Sequence, residues 1–198
     1  MQKGKFIAVY GTNGIGKTTQ VELLIEYLKK KGKDAMRLKY PIYDLEPEGP
    51  FIYNYLRDPE FRRNNELSTH RLQKKYAENR IRYEPILRDQ LKKGKWVVAE
   101  DYVGTGISWG LTWGGKLDYL EDLNEDLLKP DLEILMDGPR FLSAIEKDHR
   151  NEINPERIEI SRNFFFLLAD RYGWIKVDAK QKVKKVHEDI VEQLGIIL

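Results

Sequence analysis

Residues 11–18 read Gly-Thr-Asn-Gly-Ile-Gly-Lys-Thr, and few stretches of eight residues restrict a fold more tightly. Glycines at 11, 14 and 16 let the backbone turn sharply and bring its N–H groups up to an anion. The stretch follows a short apolar run, Phe6 to Tyr10, of the kind that forms a buried strand. It precedes a segment, Lys17 to Lys31, in which Val21, Leu24, Ile25 and Leu28 fall at i, i+3, i+4 and i+7 and Gly32 supplies the stop. Strand, glycine-rich turn and helix in this order make a phosphate-binding loop. The helix N-terminus points unpaired N–H groups at the anion, the Lys17 ammonium reaches the β- and γ-phosphates, and the Thr18 hydroxyl is a ligand for Mg²⁺. Asn13, Gly14, Ile15, Gly16, Lys17, Thr18 and Thr19 are the candidate phosphate-binding residues.

The rest of the chain supplies a scaffold for such a loop. Further strands are predicted at Ala35 to Lys39, Trp96 to Ala99, Leu132 to Met136 and Trp174 to Asp178. Helices are predicted from Ser68 to Lys93, bent at Pro85, over a short stretch from Pro139 to Asp148, from Asn154-Pro155 to Tyr172, and at the C-terminus. In that last helix Val183, Val186, Ile190 and Leu194 share one face. Residues 40–67, with four prolines, and 103–116, with five glycines, read as loops. Strands alternating with helices imply an α/β fold with a parallel sheet covered on both faces. At 198 residues the chain suits a single domain, 1–198.

Composition removes several function classes. With 34 basic against 32 acidic residues the net charge is +2, which argues against a dedicated nucleic-acid binder. Without cysteine there is neither a disulfide nor a Cys-based zinc site. The apolar run before Gly11 is too short for a signal peptide, and Phe164 to Ala169 falls far short of the ~20 residues that span a bilayer. A soluble, cytoplasmic protein with no membrane partner is expected.

Two further features carry chemistry. Val97-Val98-Ala99-Glu100-Asp101-Tyr102 brings two carboxylates to a strand end. In phosphate-binding-loop proteins a carboxylate in that position helps to hold Mg²⁺, so Thr18 and Glu100 are the candidate metal residues. On the long helix, Tyr76, Arg80, Tyr83, Leu87 and Leu91 all fall within about 100° of Leu72, at ~100° per residue. Arg80 therefore lies inside an apolar and aromatic stripe, where arginine is rarely left unpaired. Either it meets a buried carboxylate or it faces a ligand, and Tyr76, one turn earlier, is placed to stack on a planar base.

The ordered set of motifs resembles the thymidylate kinase family over nearly the whole chain. It comprises GKTTQ, a Lys-Tyr-Pro after the second strand, Tyr76-Ala-Glu-Asn-Arg80, an acid-x-Tyr strand end followed by Thr105-Gly106, Lys129-Pro130-Asp131, and a final Trp174 to Ala179 strand and turn. The resemblance implies a P-loop NTPase fold with a five-stranded parallel sheet in the order 2-3-1-4-5. It implies γ-phosphoryl transfer from ATP, with Mg²⁺, to a deoxynucleoside monophosphate, and it carries with it a possible homodimer. It places Tyr76, Arg80, Asp101 and Tyr102 at the acceptor and Glu100 near the metal and phosphates. Ala179 and Lys180 fall at the turn that covers adenine. A lid falls near 146–156, with Arg150 as the cation on the transferring group beside Lys17.

Four positions depart from the family pattern. Tyr10 stands where the family has Glu, and Asn13 stands where it has Asp. Tyr43 and Asp101 stand where it has two arginines that grip the acceptor's phosphate. A carboxylate repels a phosphate dianion, and in a dry site a like-charge contact costs several kcal/mol. Either the acceptor carries no phosphate there, as for a nucleoside kinase, or another cation fills the gap. Arg37, Lys39 and a second Mg²⁺ between Glu100 and Asp101 are the candidates. A nucleotide-binding module that has lost catalysis is the reading from a different class.

Overall fold

The computed structural model describes residues 3–141, 143 and 146–197. Five parallel strands form one sheet: β1 (Phe6–Tyr10), β2 (Ala35–Lys39), β3 (Trp96–Glu100), β4 (Leu132–Asp137) and β5 (Ile175–Asp178). Their order is β2-β3-β1-β4-β5, as the family resemblance implies. β1 and β3 are buried at every residue, which is why they read as unbroken apolar runs rather than as alternating ones. Their side chains divide between two cores. Phe6, Ala8, Val97 and Ala99 face one side, with Leu87, Phe165 and Leu168. Ile7, Val9, Trp96 and Val98 face the other, with Val21, Leu24, Val186 and Ile190.

Among the described residues eight α-helices connect and cover the strands: α1 (Lys17–Lys30), α2 (Glu48–Arg57), α3 (Pro59–Asn64), α4 (Thr69–Lys92), α5 (Val103–Thr112), α6 (Leu117–Asp122), α7 (Pro155–Tyr172) and α8 (Val183–Gln193). Among the described residues none is long and apolar enough to cross a membrane. α7 starts as its sequence predicts. The Asn154 side chain accepts from Arg157 N, Pro155 occupies the first turn, and Gly173 closes the helix in a left-handed conformation. On α8, Val186 and Ile190 are buried, as is Leu194 just past its end, but Val183 at the start of the stripe is exposed.

Both expected loops contain helices. In 40–67, Pro47 caps α2, Pro50 lies in its first turn, and Pro59 opens α3 behind the Asp58 cap. Proline is tolerated there because first-turn N–H groups have no intrahelical partner. In 103–116, α5 forms because its glycines answer packing rather than flexibility. A Cβ at Gly104 would lie 2.3 Å from the Trp174 ring, and one at Gly110 would lie 2.7 Å from Leu120. The short helix predicted from Pro139 to Asp148 is not formed by the described residues at its two ends, and Leu142, Ala144 and Ile145 lie outside the described set.

Candidate active site

The carboxyl ends of β1 and β3 lie side by side, with Val9 opposite Glu100 in register and Asp101 N donating to Val9 O at 3.1 Å. The loop after β1 and the acid pair after β3 therefore share one crevice, the place where open α/β sheets bind ligands. A cavity of about 540 Å³ opens there, a size that suits a small-molecule ligand.

The phosphate-binding loop is formed. Gly11 is obligatory, since φ is +138° and a Cβ would sit 2.5 Å from Met136 O. Gly16, at φ 92°, turns the chain into α1. The buried Lys17 Nζ donates to Gly11 O at 2.9 Å and Thr12 O at 3.0 Å, and lies 3.6 Å from Asp101 Oδ1. Asn13, Gly14, Gly16, Thr18 and Thr19 also border the cavity. Ile15 buries its side chain in the core, leaving its backbone to the loop.

Glu100 and Asp101 point to different partners. Glu100 receives Thr18 Oγ1 at 2.8 Å, Lys39 Nζ at 3.0 Å and Arg37 Nη2 at 2.5 Å. Burial opposes ionisation, but Lys39 and Lys17 outweigh it and hold the carboxyl below the usual glutamate range. Asp101 adopts a left-handed conformation, φ 60°, and accepts from Thr105 Oγ1 at 2.9 Å. Its carboxyl is pushed up, chiefly by burial and against the pull of Lys17. A hydroxyl beside a carboxylate oxygen is a donor pair that fits Mg²⁺, a cation that takes one or two carboxylates and completes its shell from phosphates and water. Among the described residues no group of three or more acids, histidines or cysteines is placed to hold a metal unaided.

At the other end of the cavity, α4 presents Tyr76 and Arg80. Of the two alternatives for Arg80, the buried carboxylate partner is not found among the described residues. Among the described residues its partner is the Asn124 Oδ1 acceptor at 3.1 Å, not a carboxylate, and burial pushes its pKa down. Gly106 makes room for it, since a Cβ there would lie 2.7 Å from Nη2. Tyr102 also borders the cavity but belongs mostly to the core. It is 1% exposed, packs edge-on against Phe6 at 5.0 Å, and directs its hydroxyl to Glu84.

The segment 146–153 docks between the phosphate-binding loop and α2. Asn13 Nδ2 donates to Glu152 Oε1 at 2.6 Å, and Arg150 N donates to Leu56 O at 2.8 Å. Arg150 does not hold the position expected of it. Its guanidinium stacks on Trp113, 3.9 Å from the ring centroid, beside Tyr55, and it does not border the cavity. Arg140 stands at the loop instead. Its Nε donates to Asn13 O at 2.8 Å, and its Nη2 is buried without a partner among the described residues. Ala179 and Lys180 lie outside the cavity at the end of β5, with Ala179 N donating to Asp137 O at 2.7 Å and close packing between Ala179 and Gly138.

Two cavity residues are not legible in the sequence as site residues. Arg57, at the end of α2, donates from Nη1 to Tyr43 Oη at 3.1 Å and pairs with Glu146. It sits in a stretch that reads as loop, where nothing in the sequence marks it. The sequence offers Lys39 only as one replacement cation among several, yet it borders the cavity beside Glu100.

Comparison with known proteins agrees with this geometry. The family model described as thymidylate kinase matches residues 9–190. The chain is 28% identical to thymidylate kinase of Plasmodium falciparum over 200 residues, covering 98% of this chain and 90% of that one. It is 27% identical to thymidylate kinase of Homo sapiens, covering 96% and 89%. The solved structure of thymidylate kinase from Candida albicans superposes with a TM-score of 0.78 at 21% identity, covering 98% of this chain and 92% of that one, a likeness of fold.

Proposed function

The chain belongs to the thymidylate kinase family, and we propose that it transfers the γ-phosphoryl group of ATP to thymidine monophosphate or a closely related deoxynucleoside monophosphate. The observation that carries the reading is one cavity with a formed phosphate-binding loop at one end and, at the other, a tyrosine with an arginine that has no carboxylate partner among the described residues. In this reading the phosphates of donor and acceptor meet beside the phosphate-binding loop, and the acceptor base lies between Tyr76 and Arg80. Residues 1–198 act as one kinase unit in this reading, with 146–156 as the lid.

An oxygen of the acceptor's phosphate attacks the γ-phosphorus. The bond to the β–γ bridging oxygen breaks, and ADP leaves. The attacking oxygen is already anionic, so no side chain is needed to take a proton. What the protein must supply is alignment and positive charge. Lys17 exchanges its carbonyl partners for phosphate oxygens, and Arg140, with an unused buried nitrogen beside the same loop, adds the second cation. Backbone N–H groups of residues 13–19 cradle the donor phosphates. Thr18 and Glu100 would hold Mg²⁺, which would offset negative charge on the donor phosphates. Ala179 and Lys180 border the adenine.

The test is ADP release from ATP and Mg²⁺ with thymidine monophosphate and thymidine side by side, for the wild type and Lys17→Ala. Clear turnover of the monophosphate, reduced at least about a hundredfold by the substitution, supports the reading. Preference for thymidine, or full activity of Lys17→Ala, overturns it.

A further inference from the structure

The family arginines that would grip an acceptor's phosphate are Tyr43 and Asp101 here, yet the cavity still contains a guanidinium in a phosphate-like embrace. Arg57 reaches in from the end of α2 and is clasped by both oxygens of Glu146, Nε to Oε2 at 2.6 Å and Nη2 to Oε1 at 2.9 Å. The third nitrogen, Nη1, donates to Tyr43 Oη. The guanidinium lies over two rings, 4.6 Å from the Tyr53 centroid and 5.0 Å from that of Tyr43. Stacking and three directed hydrogen bonds fix its plane, so the fork is pre-aligned for an oxyanion.

Resting on the kinase reading above, we propose that Arg57 is the residue that binds the acceptor's phosphate and so selects a monophosphate over a nucleoside. Glu146 occupies that position in the structure. The other cavity cations are committed elsewhere. Lys17 serves the phosphate-binding loop, and Arg80 lies at the far end with Tyr76. Lys39 is paired with Glu100, though it lines the same cavity as Tyr43 and Glu146, which makes it a second contact for the same group. Glu146 is replaceable. Its side chain is 47% exposed, against 22% for Arg57, so it can return to water at little cost. A phosphate monoester dianion brings more charge and a third oxygen, and wins the exchange. Tyr43, in a family arginine's position, becomes the platform that positions an arginine from elsewhere.

The experiment is calorimetric binding of thymidine monophosphate and of thymidine to wild type, Arg57→Ala, Arg57→Lys and Glu146→Gln, with KM for each substrate alongside. Loss of Arg57 should weaken monophosphate binding about 10- to 100-fold, the worth of one charged hydrogen-bonding group, and leave thymidine binding and the KM for ATP unchanged. Arg57→Lys should recover part of the loss, because charge returns without the fork. Glu146→Gln should tighten monophosphate binding about threefold by removing the competing carboxylate, and it keeps the test open should Arg57→Ala fold poorly. Equal binding by Arg57→Ala and wild type, equal loss for thymidine and its monophosphate, or weaker binding by Glu146→Gln overturns the assignment while wild-type turnover leaves the kinase reading intact. A wild type that neither binds nor phosphorylates the monophosphate overturns both.

Discussion

Gly106→Ala separates the acceptor site from the fold more cleanly than a substitution of Arg80 itself. A Cβ at this position would lie 2.7 Å from Arg80 Nη2, 3.0 Å from Nη1 and 3.2 Å from Cζ. Relief to an ordinary contact near 3.4 Å requires the guanidinium to move about 0.7 Å, the difference between 3.4 and the 2.7 Å approach. It cannot do so freely, because it is 3% exposed and its Nε is tied to Asn124. Overpacking of this kind costs about 1–3 kcal/mol. Alanine in place of glycine within α5 returns about 0.5–1 kcal/mol of helix propensity. Net destabilisation should therefore be only about 0–2.5 kcal/mol. Misplacing a binding group by ~1 Å is worth up to about a hundredfold in rate, so acceptor kcat/KM should fall roughly tenfold while the KM for ATP holds. Gly104→Ala is the comparison. Its Cβ would meet Trp174 Cη2 at 2.3 Å and Tyr10 Cε1 at 3.1 Å, rigid rings in the core rather than a flexible side chain, so its loss should reach about 3 kcal/mol without acceptor selectivity. Urea unfolding and steady-state kinetics on both variants read out the two effects. An unchanged acceptor KM in a Gly106→Ala protein that is less stable than Gly104→Ala would refute the reasoning.

Two further predictions concern charge. Arg140→Ala should lower kcat about a hundredfold, and Arg150→Ala, which loses a stack on Trp113 instead, should cost mainly stability, about 1 kcal/mol; kinetics and thermal unfolding of the pair distinguish them, and the reverse order would return the catalytic role to Arg150. Asp101→Asn keeps a residue type that tolerates φ 60° and tests linkage. Burial raises the Asp101 carboxyl above its ordinary value, so the folded state holds that proton more tightly than the unfolded chain. The stability it contributes is present below about pH 4 and lost as pH rises through the raised value. The amide of the Asp101→Asn variant does not titrate and has no such loss, so urea midpoints measured across this acid range should show the variant gaining on the wild type as pH rises; a gap that is constant or narrows contradicts the direction of the shift.

The strands and the long helices were legible because their signals are local. A buried parallel strand reads as an apolar run, and α1 and α7 carry their own stops and caps. The phosphate-binding loop was legible for the same reason: glycine spacing, lysine and threonine all fall within eight residues. α2, α3 and α5 were lost because proline and glycine have two meanings. Proline ends a helix in its interior but suits its first turn, and only the position of Asp58 as a cap reveals which applies at Pro59. Glycine in α5 reflects the approach of Trp174, Arg80 and Leu120, neighbours that lie outside the helix and that no local pattern reveals.

The same limit governs the charge of the site. Tyr43 and Asp101, taken position by position, subtract two positive charges and add a negative one. That count is incomplete, because electrostatics depends on distance in space. Asp101 faces Lys17 at 3.6 Å, which offsets part of the cost of burying it, and Thr105 ties down the same oxygen. Its charge is answered at the phosphate-binding loop. Arg57 meanwhile brings a cation to Tyr43 from fourteen residues away, through a helix that its prolines disguised. An arginine lost from one strand end and regained on α2 leaves the family motif broken in sequence while the cavity keeps a guanidinium for an oxyanion. On that exchange, Tyr43→Arg in the wild type should add little to monophosphate binding, because the positive charge is already present. In Arg57→Ala the same change should restore it. Additive gains from both arginines would mean that the cavity had been short of a cation all along.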